Sequence, residues 1–203
     1  MRKISMLLGI FFFFFVSSIE GAPSRQGSTG NIITPSADVL RAGQASTGFF
    51  HQQGDSRITF GLGIDNRWEL SASEKTTDKD AEINFKYMLQ PEGILKPGFA
   101  IGIDDVGAQE QRSHYAVLSK GLPFGIRMHA GYGDGQYGGL FFAAEKKLMR
   151  KVQPGIFPDT SLFIEDDGHI ASVGLRMALS RGSKLEFGRR DGHSFVGFSY
   201  NYY

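Results

Sequence analysis

Five histidines, His51, His114, His129, His169 and His193, are the natural bases of this chain. Two of them sit beside a serine, in Ser113-His114 and His193-Ser194. Nucleophilic catalysis needs the hydroxyl within hydrogen-bond reach of the imidazole. Neighbours on a strand point to opposite faces, so neither pair provides that geometry. A G-x-S-x-G elbow is absent. A lipid-modifying enzyme is therefore the weakest reading, and the chain is read as non-enzymatic and without a cofactor. Asp104-Asp105, Gly133-Asp134-Gly135 and Asp166-Asp167-Gly168 offer oxygens of the kind a hard cation takes. Their spacing fits no EF-hand loop, and Asp-Gly is ordinary turn chemistry, so no metal is expected. The absence of cysteine removes disulfides, thiolate metal sites and acylation at cysteine. With 22 Lys+Arg against 21 Asp+Glu, there is no electrostatic case for nucleic acid.

What remains is a set of charged or polar residues that share one face of a series of strands. They are Glu69, Glu82, Lys86, Arg127, His129, Glu165, Arg176, Lys184, Glu186 and Arg190. Two roles suit them: a polar lining or patch for sugar hydroxyls, or a salt-bridge network that fills a narrow barrel. The second is favoured, because small barrels are filled by side chains. Phe141 and Phe163 fall on the same face and fit a filled interior.

The elements that must carry these residues are strands. From about residue 43 the chain alternates with period two. Ile58, Phe60, Leu62 and Ile64 share a face, then Trp68, Leu70 and Ala72, then Ile83, Phe85, Tyr87 and Leu89. The same pattern recurs at Phe99, Ile101 and Ile103, at Tyr115 and Val117, and at Ile126, Met128, Ala130 and Tyr132. It continues through Leu140–Ala144, Leu162–Ile164, Ala171–Met177, Leu185–Phe187 and Val196–Tyr202. With a weaker strand near Gln44–Gln52, about twelve strands result. Many of the 27 glycines fall on the charged face, among them Gly61, Gly102, Gly131 and Gly174. Small residues there mark a concave, crowded face, such as a barrel interior. The connections alternate between an acidic or polar class and a second class, richer in proline, that includes a tight hairpin turn at Asp65-Asn66. Alternate turns of an up-and-down meander lie at opposite ends.

The chain divides into a signal peptide over 1–22, a lead-in segment over 23–42 without a clear period, and a barrel over 43–203. Arg2 and Lys3 precede the apolar run Met6–Val16, which is too short to span a bilayer as a helix. Trp68, Tyr87, Tyr115, Tyr132 and Tyr202 lie near strand ends on the apolar face, where a membrane interface wants such rings. The final strand, Gly197–Tyr203, has aromatics on alternate positions, as barrel-insertion machinery recognises. The expected fold is all-β: an antiparallel up-and-down transmembrane β-barrel in outer-membrane lipid, with both ends periplasmic.

Gly30-Asn31-Ile32-Ile33-Thr34-Pro35-Ser36-Ala37, followed by Asp38–Gly43, resembles the opening of the YjbH-type outer-membrane proteins. Gly139–Glu145, Phe163–His169 and Arg189–Gly192 resemble further blocks of that family, so the similarity spans roughly 29–203. The resemblance implies an outer-membrane barrel associated with exopolysaccharide production or export. Polysaccharide or proteins of such a system are the implied partners, and a structural or adhesive barrel with a filled lumen is the alternative.

Overall fold

The computed structural model describes residues 21–77, 80–149, 158–180 and 182–202. The expected signal peptide falls almost wholly outside them. Two short strands, β1 (Ala22–Pro23) and β2 (Thr29–Gly30), precede twelve strands that close into a barrel. These are β3 (Ala45–Gln52), β4 (Asp55–Gly63), β5 (Trp68–Lys75), β6 (Ala81–Gln90), β7 (Gly98–Asp104) and β8 (Ser113–Leu122). They continue with β9 (Ile126–Gly133), β10 (Gly139–Met149), β11 (Asp159–Asp166), β12 (Ala171–Ala178), β13 (Ser183–Arg190) and β14 (His193–Tyr202). Every neighbouring pair is antiparallel, and β14 pairs with β3, setting Phe198 opposite Phe49. Closure leaves no edge strand, so the ladder satisfies the backbone N–H and C=O groups, as hydrocarbon requires.

Alternation dictates the two faces. On β4, Ile58 and Phe60 are 54% and 50% exposed, while Arg57, Thr59, Gly61 and Gly63 between them are buried. Each barrel strand contributes at least one such outward side chain. In order they include Phe49, Ile58, Trp68, Ile83, Ile101, Leu118, Met128, Phe142, Ile164, Val173, Phe187 and Val196. A continuous apolar belt of this kind is the surface a bilayer covers. Trp68 and Tyr87 meet on it with ring centroids 4.4 Å apart.

The rims alternate as the turn chemistry predicts. Connections 53–54, 105–112, 134–138, 167–170 and 191–192 lie at a first rim, and 64–67, 91–97 and 123–125 lie at a second rim. The barrel's own start at Ala45 and its end at Tyr202 meet at the second rim. The turn at Asp65-Asn66 is longer than a tight hairpin. It spans 64–67, and the Asp65 carboxylate accepts the N–H groups of Arg67 and Trp68.

One face assignment is overturned. Tyr115 and Val117, expected on the outer face, are 4% and 0% exposed and point inward. Ser113–Leu122 carries apolar residues on both parities, with Ala116 and Leu118 available for the outside. The interior decides the matter. Tyr115 lies over Gly102, where a Cβ would come within 2.3 Å of its ring, and its ring is 5.5 Å from that of Tyr137.

The segment read as a lead-in folds back into the lumen. Ser24 and residues 26–37 are buried among the inner side chains of the wall. β1 and β2 pair antiparallel, the Arg25 N–H donates to the Ile32 carbonyl, and that of Asn31 donates to the Thr34 carbonyl. Its two legs leave by the same rim. The Gly21 carbonyl accepts from Asn201 near the end of β14, while Arg41–Gln44 turns into β3.

Candidate functional site

The site is the inner wall together with the plug it holds. Glu69 on β5 is its centre. Its carboxylate accepts the backbone N–H of Thr29 at 2.6 Å, the Thr29 hydroxyl at 2.5 Å and the Leu40 N–H at 2.7 Å. On β6, Lys86 lies directly across the ladder from Glu69, with Nζ 3.4 Å from the carboxylate. The same ammonium donates to the Thr29 carbonyl at 2.6 Å and the Ser36 carbonyl at 3.4 Å. Neither side chain touches solvent. Two opposite charges thus meet the two kinds of backbone group that a short irregular segment cannot pair internally.

Glu165 on β11 repeats the device. It accepts the N–H groups of Ile33 and Thr34 at 3.2 and 3.1 Å and the Thr34 hydroxyl at 2.9 Å. Arg176 on β12 is held between Glu145 of β10, at 2.7 Å, and Glu186 of β13, and its remaining nitrogen faces the Gly30 carbonyl. Its guanidinium carbon stands 5.6 Å from the centre of the Phe163 ring. Arg127 on β9 bridges Asp38 of the plug and Glu92 of the second rim, each at 2.7 Å. Near the first rim, Arg57 joins Glu82 to Glu110, and Arg190 pairs with Asp167. Lys184 lies half-buried on β13, opposite Ser199.

The residues expected on the inner face therefore divide between wall and plug. Glu69, Lys86, Arg127, Glu165 and Arg176 reach the plug, whereas Glu82, Glu186 and Arg190 brace wall or rim. Arg57 and Glu145 were absent from the sequence set, although their parity placed them inside. Asp38 and Glu92 carried no signal, because neither belongs to an alternating run.

His129 has a hydroxyl partner that sequence adjacency concealed. Across the β8–β9 ladder its Nδ1 lies 2.7 Å from Ser119 Oγ, and both side chains are buried. The Ala37 N–H of the plug donates to that same oxygen at 2.7 Å. The serine hydroxyl thus joins the imidazole to the plug's backbone. The described hydrogen bonds of His129 include no carboxylate to orient the ring. A second cross-strand pair, His51 with Ser56, has the same 2.7 Å spacing on β3 and β4.

The acidic doublets act as turn caps. Asp105 accepts the N–H groups of Gln109 and Glu110, Asp134 that of His114, and Asp167 those of His169 and Ile170. Among the described residues, no three histidines or carboxylates converge as a metal site.

Apolar contacts complete the seat. Ile32 and Ile33 pack with Phe50, Phe163 and Phe195, and Ala37 packs with Tyr115, Tyr137 and Phe141. Beside Pro23, Ile32 and Glu186 a cavity of about 10 Å³ remains, room for a single water. A far larger concavity, about 980 Å³, lies on the outer flank of β8–β13, walled by Leu118, Met128, Phe142 and Ile164 of the apolar belt.

Comparison with known proteins follows this geometry. No curated protein matches the chain. Among solved structures, the N-terminal β-barrel domain of Pseudomonas aeruginosa OprF aligns at 11% identity over 78% of this chain and 96% of that one, with a TM-score of 0.22. A family model described as "Exopolysaccharide biosynthesis protein YbjH" matches residues 23–165, from the first residues of the plug to β11. That match takes in well over half of the chain, and the chain belongs to the YjbH exopolysaccharide biosynthesis family.

Proposed function

We propose that the chain is a non-enzymatic outer-membrane barrel serving a surface-polysaccharide system, and that its resting state is a conduit closed by its own N-terminal segment. One observation supports this above the others. The buried carboxylates Glu69 and Glu165 take their described hydrogen bonds from the plug, not from the wall. Within the wall Glu69 has its ion pair with Lys86 at 3.4 Å, whereas Arg57 and Glu82 bond each other at 2.7 Å. Glu69 and Glu165 hold a segment whose two legs leave by one rim, so it can withdraw as a hairpin without threading a free end. The apolar belt and the aromatic final strand support placement in the outer membrane.

The test is planar-bilayer recording. The intact chain is expected to be silent, and the chain lacking residues 23–40 is expected to conduct. Steady conductance from the intact chain would overturn the closed state. A rival reading, a structural barrel with a permanent core, draws on the two aromatic seats around Ile33 and Ala37. Opening of the lumen by weakened plug anchors, with the barrel still folded, counts against it.

A further inference from the structure

We infer that the inner wall is a binding site for a neutral, hydroxyl-rich saccharide chain, and that the plug occupies it as an internal competitor. This rests on the closed-conduit reading above and adds the ligand class.

The first argument is what the wall grips. The plug buries a run of hydroxyl and amide side chains, including Ser24, Ser28, Thr29, Asn31, Thr34 and Ser36. Glu69 and Glu165 each take a hydroxyl and an N–H from one threonine, two donors converging on one carboxylate. An ionised carboxylate is acceptor-only, and adjacent sugar hydroxyls present the same two donors.

The second argument is what stands beside those carboxylates. The Phe50 and Phe195 rings stack at 5.5 Å between centroids, with Phe163 6.3 Å from Phe195, around Ile33. Tyr115, Tyr137 and Phe141 cluster with Ala37, Tyr115 edge-on to Tyr137 and Phe141 tilted against it. Flat apolar rings beside a few fixed polar groups make an orienting site for a small ligand. A pyranose offers both surfaces, a C–H face and a hydroxyl edge.

The third argument is charge. With the plug withdrawn, five inner cations keep carboxylates of the wall or rim: Arg57 keeps Glu82, Arg176 keeps Glu145 and Glu186, Lys86 keeps Glu69, Arg127 keeps Glu92 and Arg190 keeps Asp167. An emptied lumen would therefore present no excess of positive charge to draw in a polyuronate.

The chain has no cysteine, so one introduced pair reports the plug alone. A Cβ at Gly98 would lie 3.3 Å from that of Ala37, close to the ~3.8 Å of a disulfide. The full chain carrying A37C and G98C, with and without I32D and I33D, is recorded in bilayers, with maltohexaose and alginate as probes; the two aspartates unseat the plug from the phenylalanine rings and leave Glu69 and Glu165 in place. The loosened, reduced barrel should conduct, the oxidised barrel should stay silent, and maltohexaose should abolish most of the current while alginate should not. In the A37C/G98C chain with the native plug, maltohexaose should slow disulfide closure. Silence of the loosened, reduced barrel sinks the conduit reading itself. Current that maltohexaose leaves intact, current that alginate blocks equally well, or closure that the sugar does not slow overturns the saccharide site alone.

Discussion

Replacing Glu69 by alanine should release the plug while leaving the barrel folded. The carboxylate holds the N–H groups of Thr29 and Leu40, the Thr29 hydroxyl and the Lys86 ammonium. A buried donor left without its partner costs about 1–3 kcal/mol, so the two amides alone remove at least about 2 kcal/mol of docking energy. Lys86 keeps the Thr29 and Ser36 carbonyls but loses its only described counter-charge, which adds a cost of the same order. Together these come to about 4 kcal/mol, roughly a thousandfold in the docking equilibrium. The wall itself loses little, because the ladder between β5 and β6 runs through backbone groups from Trp68–Tyr87 to Glu74–Ala81. Limited trypsin cleavage of the reconstituted protein reads the difference. Arg25, paired with Asp55 inside the first rim, should resist cleavage in the native chain and be cut rapidly in Glu69→Ala. Equal cleavage at Arg25 in two equally folded proteins would refute the assignment of Glu69 as the plug's principal anchor.

Three further outcomes are expected. Ile58→Lys or Phe85→Lys should cost about 2–4 kcal/mol in urea unfolding from lipid if these side chains face the middle of the bilayer, and normal stability would misplace the belt. Gly131→Val should block folding or cost about 1–3 kcal/mol by overpacking, since a Cβ there would stand 2.1 Å from the Phe141 ring; native stability in urea unfolding would contradict this. In the first-rim turn, the backbone N–H of His114 holds the Asp134 carboxyl below its usual range, so its contribution is present above that range and is lost as pH falls through the folded value. Protection of the His114 amide, its exchange rate divided into the intrinsic rate at each pH, should fall at acid pH in the native chain but not in Asp134→Asn.

Much of the barrel was legible because its physics is local. Ile58, Phe60 and Leu62 must share a face wherever the strand goes, and a closed sheet leaves one face for lipid and one for the axis. The rims followed from turn composition for the same reason. Tyr115 and Val117 went wrong where locality fails, because Ala116 and Leu118 satisfy the outer belt equally well. The choice was made by Gly102 and Tyr137, which arrive from other parts of the chain. The Ser119–His129 pair was invisible for a related reason. Cross-strand partners are set by register, which composition alone does not give.

The plug was the least legible part, yet size leaves room for one. Eight strands make an interior that side chains can fill, and a barrel widens with each added strand. At twelve strands, opposite walls stand too far apart for every inward charge to find a partner across the axis. In a dry lumen without the plug, Glu69 and Lys86 would have each other alone and Glu165 would lose the Ile33 and Thr34 donors, at a cost of several kcal/mol. The expectation of a salt-bridge network filling a narrow barrel is therefore only half met. Arg176, Glu145 and Glu186 form such a network, whereas the carboxylates of Glu69 and Glu165 are satisfied by backbone amides. Such a filler needs exposed main-chain donors and acceptors, which a helix or a strand inside a sheet would already have used. A segment without period, punctuated by Gly27, Gly30, Pro23 and Pro35, keeps those groups free. The missing periodicity that made residues 23–42 look like a mere lead-in is thus the property that fits them to the lumen.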